Sequence, residues 1–175
     1  ADDYFMGRQF NRGKIIHPCG SGKSLTAYWI AKNQKARSVL IAVPSLALIR
    51  QTLSAWSKQA IADGSEIDYI AVCSDKDVAQ NDDPAINIHE IGICSTTDPN
   101  TVRDFLCSDS KNKKLVLTTY HSGAVIVEAS RLTGHIFDVG IFDEAHKTTG
   151  DKTKKFAVLL DDDKVPIHKK VFMTA

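Results

Sequence analysis

Short β-branched and apolar runs recur along the chain at Lys14–His17, Ser38–Val43, Asp68–Cys73, Leu115–Thr119, Val139–Phe142 and Val171–Thr174. Most are continuous rather than alternating, the pattern of parallel strands covered on both faces. Between them the periodicity changes to that of helices. Lys23–Asn33 and Leu46–Gln59 carry apolar residues three or four apart, as in Leu46, Ile49, Leu53 and Trp56, and Ala124–Arg131 and Lys154–Leu160 predict shorter helices. Asp98-Pro99-Asn100-Thr101 reads as the start of another helix running through Phe105 and Leu106. This alternation predicts an α/β fold: a doubly wound domain with a mainly parallel sheet, helices on both faces and ligands beyond the carboxyl ends of the strands. From 74 to 100 the chain is rich in Asp, Asn, Ser and Thr, apart from Ile86–Ile93. A long surface excursion with one small strand is expected there. Val171–Thr174 reads as a central strand, so the chain is expected to be one domain of a longer protein.

Two of the apolar runs deliver chemistry at their ends. Ile15-Ile16-His17-Pro18 breaks into the turn Cys19-Gly20-Ser21-Gly22, followed by Lys23-Ser24 and a helical pattern. Glycines permit the tight backbone of a phosphate loop and close approach to the anion. Lys23 would neutralise phosphate oxygens, facing solvent until they arrive, and Ser24 would ligate Mg²⁺ from the first turn of a helix whose dipole favours the anion. The full phosphate-loop pattern wants Gly at position 17, where this chain has His17. The second run, Val139 to Phe142, ends in Asp143-Glu144-Ala145-His146. Asp143 suits Mg²⁺, a hard cation that prefers oxygen ligands; Glu144 would orient an attacking water and His146 would sense the phosphate. Taken singly, the first segment can be an ordinary Gly-rich turn and the second a helix-capping pair. In this order, each after a strand, they point to a nucleoside triphosphatase.

Composition narrows the setting. With 175 residues, 43% apolar and 25% charged, the chain can bury one sizeable core. A formal charge of +1 gives no global argument for polyanion binding, so any such surface is local. The candidates are Lys111-Asn112-Lys113-Lys114, Lys152 to Lys155 and Lys164 to Lys170, although such runs are usually solvated faces. Cys19, Cys73, Cys94 and Cys107 show no paired spacing and read as reduced, partly buried thiols. No apolar run is long enough to span a membrane, and a cytoplasmic protein is expected.

With these motifs in order, the chain resembles the first RecA-like P-loop domain of a superfamily 2 helicase or translocase of the DEAH-box type. Pro18 to Thr26 is similar to motif I, Val43-Pro44-Ser45 to motif Ia and Leu117-Thr118-Thr119-Tyr120 to motif Ib. Asp143 to His146 matches motif II, and Met173-Thr174-Ala175 is similar to motif III, which couples the two ligands through Thr174. Arg12-Gly13-Lys14, Cys73-Ser74-Asp75, Thr97-Asp98-Pro99 and Thr118-Thr119-Tyr120 narrow the resemblance to restriction-type DNA translocases. The resemblance implies ATP and Mg²⁺ as ligands, nucleic acid as partner with DNA ahead of RNA, and a second RecA-like domain supplying an arginine. It implies phosphate contacts from Cys19 to Ser24 and from His146, and nucleic-acid backbone contacts at Pro44, Ser45, Thr119 and Tyr120. Equally, Pro44 can simply end a strand, Thr119 can pack and Tyr120 can lie in the core. The chain departs from the family at Leu46, where Arg is common, and Gln9 lies too close to the loop to act as the adenine-reading glutamine. A nucleotide-dependent switch that moves no strand shares every one of these residues. A small-substrate P-loop kinase fits less well, because Arg is sparse after Arg131.

Overall fold

The computed structural model describes residues 11–18, 20–73, 95–144 and 158–174. Seven parallel strands form one sheet in the order β1-β7-β6-β2-β5-β3-β4. They are β1 (Arg12–Ile16), β2 (Ser38–Val43), β3 (Ile67–Val72), β4 (Ser95–Thr96), β5 (Lys113–Thr119), β6 (Phe137–Asp143) and β7 (Ile167–Thr174). Among the described residues four α-helices connect them: α1 (Lys23–Asn33), α2 (Leu46–Ala62), α3 (Pro99–Cys107) and α4 (Gly123–Thr133). Every residue of β2, Ser-Val-Leu-Ile-Ala-Val, is buried, as a strand with helices on both faces requires. The expected doubly wound α/β architecture is the one observed.

The core has two halves. On one face α1 and α2 pack Tyr28, Ile30, Ile49 and Trp56 against Val39, Ile41, Leu115 and Val171; on the other, Val102, Ile126 and Leu159 cover Leu40, Val116, Phe137 and Phe142. Helix ends follow local chemistry. Asp98 caps α3 by accepting from the Asn100 and Thr101 N–H groups, with Pro99 in the first turn, and Ser45 caps α2 through Leu48 N–H.

Several boundaries differ from the sequence reading. β1 starts two residues earlier than expected, β5 starts at Lys113, β7 starts at Ile167 and α2 runs on to Ala62. The missed strand residues include Lys113, Lys114, His168, Lys169 and Lys170, polar residues that an apolar pattern does not mark. The two-residue β4 pairs with Ala71 and Val72 and carries no apolar signature. Of the helix expected at 154–160, residues 158–160 form a turn. Its remainder and the strand expected at 86–93 lie outside the described residues.

Candidate active site

Because all strands run the same way, the loops after β1, β2, β5 and β6 meet at one edge of the sheet. After Ile16 the chain turns through 17–22. The Ser21 amide and hydroxyl both donate to the Pro18 carbonyl, at 3.2 and 2.7 Å, and His17 Nδ1 lies 3.0 Å from the same hydroxyl. His17 thus braces the turn at the position where the strict pattern has glycine. Gly20 and Gly22 have φ of 76° and 87°, a region that costs a side-chain-bearing residue roughly 1–2 kcal/mol. A Cβ built on either meets nothing within 4 Å, so the glycines serve backbone conformation and the space over the turn is open.

Gly22 caps α1, whose N-terminus points its positive dipole end into this space. The first turn of α1 is fixed from behind. The indole N–H of Trp56, wholly buried on α2, donates to the Ser24 carbonyl at 3.1 Å, and its ring meets Tyr28 edge-on at 5.3 Å. Spacing placed Trp56 in the core but did not show this bond. The available signal was that a buried indole N–H needs an acceptor.

Two strands away, β6 brings Asp143 and Glu144 to the same edge, both half-buried. Glu144 has φ of 51°, uncommon for a residue other than glycine, and its N–H donates to Asp143 Oδ1 at 3.0 Å. The Tyr120 hydroxyl donates to the Asp143 carbonyl at 2.8 Å. Burial, and then the neighbouring Asp143 and Glu144 carboxylates, push the Tyr120 phenol well above its usual range, so it stays a donor. The two motifs meet directly. Lys23 Nζ and Glu144 Oε1 are 2.6 Å apart, with side chains 12% and 13% exposed. Lys23 is therefore paired across the site rather than solvent-facing. β7, which ends at Thr174, is the strand between β1 and β6: Ile16 pairs with Thr174, whose carbonyl accepts from His17 N–H at 2.9 Å.

The remaining predicted residues divide. Pro44 and Ser45 lie half-buried at the same edge, after β2. Thr119 and Tyr120 are 0% and 1% exposed. The Thr119 hydroxyl accepts from Ser122 N–H and the Tyr120 hydroxyl donates to the Asp143 carbonyl. Leu46, where the family often has Arg, is core at 5% exposed. Cys19 and His146 lie outside the described residues. Cys73 is buried, whereas Cys107, expected to be partly buried, is exposed.

No described cluster holds three of His, Cys, Asp and Glu. Ser24 and Asp143 are instead a hydroxyl and a carboxylate at the same edge as an open glycine turn. That donor set suits Mg²⁺, which takes one or two carboxylates and completes its shell with water and phosphate oxygens.

A parallel α/β sheet with a glycine turn and an acidic strand end at one edge defines a RecA-like P-loop domain of the superfamily 2 helicase type. The chain belongs to the family described as Type III restriction enzyme, res subunit, whose pattern matches residues 3–175. A probable helicase of African swine fever virus is 30% identical over 170 residues, 96% of this chain and 17% of that protein. Among solved structures, a nuclease-deletion mutant of the Type ISP restriction-modification enzyme LlaGI, in complex with a DNA substrate mimic, is 29% identical with a TM-score of 0.75. It is matched over 99% of this chain and 16% of its own. The ATP-dependent Type ISP enzyme LlaBIII, bound to DNA, is 26% identical with a TM-score of 0.79, over 99% of this chain and 12% of its own. This chain therefore spans less than a fifth of the length of these relatives. Among the described residues no helix is long and apolar enough to cross a membrane.

Proposed function

We propose that this chain is the ATP-binding domain of an ATP-driven helicase or DNA translocase in a restriction-type enzyme, working in the cytoplasm. The observation that carries the reading is the 2.6 Å contact between Lys23 and Glu144, which joins the glycine turn to the acidic strand end across 121 residues of sequence. ATP would bind with its phosphates over Gly20 to Ser24, and Lys23 would leave Glu144 to neutralise them. That exchange frees the Glu144 carboxylate to orient the attacking water. Ser24 and Asp143 would hold Mg²⁺, which neutralises phosphate charge when bound. By the family resemblance, Cys19 and His146 add phosphate contacts. Pro44, Ser45 and the backbone at Thr119 and Tyr120 would follow the nucleic-acid strand without reading its sequence. Thr174, at the end of the strand between β1 and β6, would couple the two ligands. A second RecA-like domain would supply the arginine that stabilises transition-state charge.

The test is steady-state ATPase of the full-length protein with and without duplex DNA. Glu144→Gln is expected to keep nucleotide affinity and lower turnover about 10²-fold or more, the range for loss of a group that handles the attacking proton. Unchanged turnover would remove Glu144 from the chemistry. Movement along duplex DNA by the wild type separates a motor from a switch that only changes shape.

A further inference from the structure

The sequence singles out three basic runs, and the structure differs between two of them in how far carboxylates neutralise the cations. In Lys164 to Lys170 the cations are consumed internally. Lys164 pairs with Asp161 at 3.0 Å, Lys170 is buried against Asp162 at 2.7 Å, and Lys169 donates to the Gln34 side chain. In Lys111 to Lys114 none of the three lysines pairs with a described carboxylate, although the Lys114 ammonium donates to the Leu106 and Ser108 carbonyls and Lys113 lies over the Tyr28 ring. That run lies at the start of β5, on the edge of the sheet opposite the glycine turn. The start of β2 lies beside it: Lys114 N–H donates to the Arg37 carbonyl at 2.7 Å, and the Arg37 guanidinium reaches the Ser110 carbonyl at 3.4 Å. Two loops, 34–37 and 108–112, thus pool Lys35, Arg37, Lys111, Lys113 and Lys114 on one surface.

The carboxylates of this edge face inward. Asp138 accepts from the Arg37 and Ser38 N–H groups, Asp68 holds Ser110 and Asn112, and Asp63 holds Lys32 and Tyr28. Glu66 and Asp109 are the exposed carboxylates of the adjoining loops. Burial, and then repulsion from Lys32, hold the Lys113 ammonium below its usual range, so the outer cations Lys35, Arg37 and Lys111 carry the charge of this surface. The side chains of Ser108, Ser110 and Asn112 are held internally, by the Phe105 carbonyl and by Asp68, and the 34–37 and 108–112 loops carry no exposed aromatic or aliphatic anchor. A protein partner would need such an anchor. A phosphate backbone needs only the cations and hydrogen-bond donors.

We propose that this edge of the sheet is a second, sequence-independent contact for duplex DNA, about 20 Å from the ATP edge (six strand residues at roughly 3.3 Å). It rests on the reading that the protein acts on DNA, and adds a face remote from the catalytic edge. The phosphate chain runs over Lys35, Arg37 and Lys111, with Lys113 and Lys114 set deeper.

The test measures duplex DNA affinity of the full-length protein against salt concentration. The triple variant Lys35→Ala, Arg37→Ala, Lys111→Ala is compared with a control triple, Arg103→Ala, Arg131→Ala, Lys164→Ala. The control removes the same formal charge from cations that already have partners. The first variant is expected to flatten the slope of log affinity against log salt by about 2–3, since each phosphate contact contributes about 0.9. The control should change it by less than one, and ATPase without DNA should match wild type in both. Equal slopes in both triples would overturn the second contact while leaving the DNA reading standing. A wild-type protein with no affinity for duplex DNA would overturn both.

Discussion

Two lysine–carboxylate pairs at opposite edges of the same sheet have nearly the same length and very different settings. Lys23 meets Glu144 at 2.6 Å beside a turn whose glycines open onto empty space, and the glutamate has a left-handed backbone. Lys170 meets Asp162 at 2.7 Å with its stem 1% exposed in the sheet; its ammonium also donates to the Leu160 carbonyl, and Arg12 takes the other Asp162 oxygen at 2.6 Å. The second pair is locked from several sides and staples the 158–166 loop to β1 and β7. The first joins a helix N-terminus to a strand end with a left-handed residue and borders the open space over the glycine turn. Contact distance alone therefore does not distinguish a structural pair from a functional one. Backbone conformation and open space next to it do.

The comparison breaks first at the buried pair. Lys170→Ala removes a buried stem and leaves the Leu160 carbonyl without its donor, so it should lower unfolding stability by about 2–4 kcal/mol in denaturant titration. ATP affinity should stay at the wild-type value. A loss of ATP affinity with unchanged stability would reverse the roles assigned to the two edges.

Tyr120→Phe sharpens the contrast on the other side. It keeps the ring in the core and removes only the hydrogen bond to the Asp143 carbonyl, so stability should fall by about 0.5–1.5 kcal/mol. Turnover should fall several-fold while ATP affinity holds, because the carboxylate pair is displaced rather than removed. Unchanged turnover would leave Tyr120 as core packing alone.

The smallest effect is on pH dependence. Hydrogen bonds from Lys170 and then Arg12 hold the Asp162 carboxyl below its ordinary value, and those from Asn112 and then Ser110 do the same for Asp68. A depressed carboxyl contributes stability that is complete above its unfolded value near 4 and is lost as pH falls through the lower folded value. The contribution of these two carboxyls should therefore be constant above about pH 5 and decline below about pH 4. It follows an earlier decline from half-buried His135, whose imidazole, held below its usual value by burial, costs stability as pH falls below about 6.5. The decline below about pH 4 should be shallower in Asp162→Asn, and an equal decline in that variant would remove Asp162 from the acid response.

Much of this was legible in the residues. The runs at Ser38–Val43 and Lys23–Asn33 match β2 and α1 end for end, because wholly buried strands and glycine-started helices carry dense local signals. Lys169 and Lys170 hid the true length of β7: an apolar pattern cannot mark a lysine that is buried because Asp162 and the Leu160 carbonyl wait for it. The glycine turn and the Asp143-Glu144 pair were readable as two halves of one site, but the direct pairing of Lys23 with Glu144 was not, since it depends on strand order and side-chain placement. Tyr120 could be read either as a strand-contacting hydroxyl or as core, and only its 1% exposure and its bond to Asp143 settle its side chain. The basic run at Lys111–Lys114 looked like its counterpart at Lys164–Lys170 until the partners of each were known.

The central claim is that Lys23 belongs to a phosphate site, with Glu144 as its partner only until phosphate binds. Equilibrium binding of a non-hydrolysable ATP analogue with Mg²⁺ to the full-length protein tests it most directly, comparing wild type with Lys23→Ala. Loss of a charge-assisted phosphate contact should weaken binding at least tenfold, about 1.5–3 kcal/mol, with the fold retained by circular dichroism. Equal affinity in the two folded proteins would contradict the account.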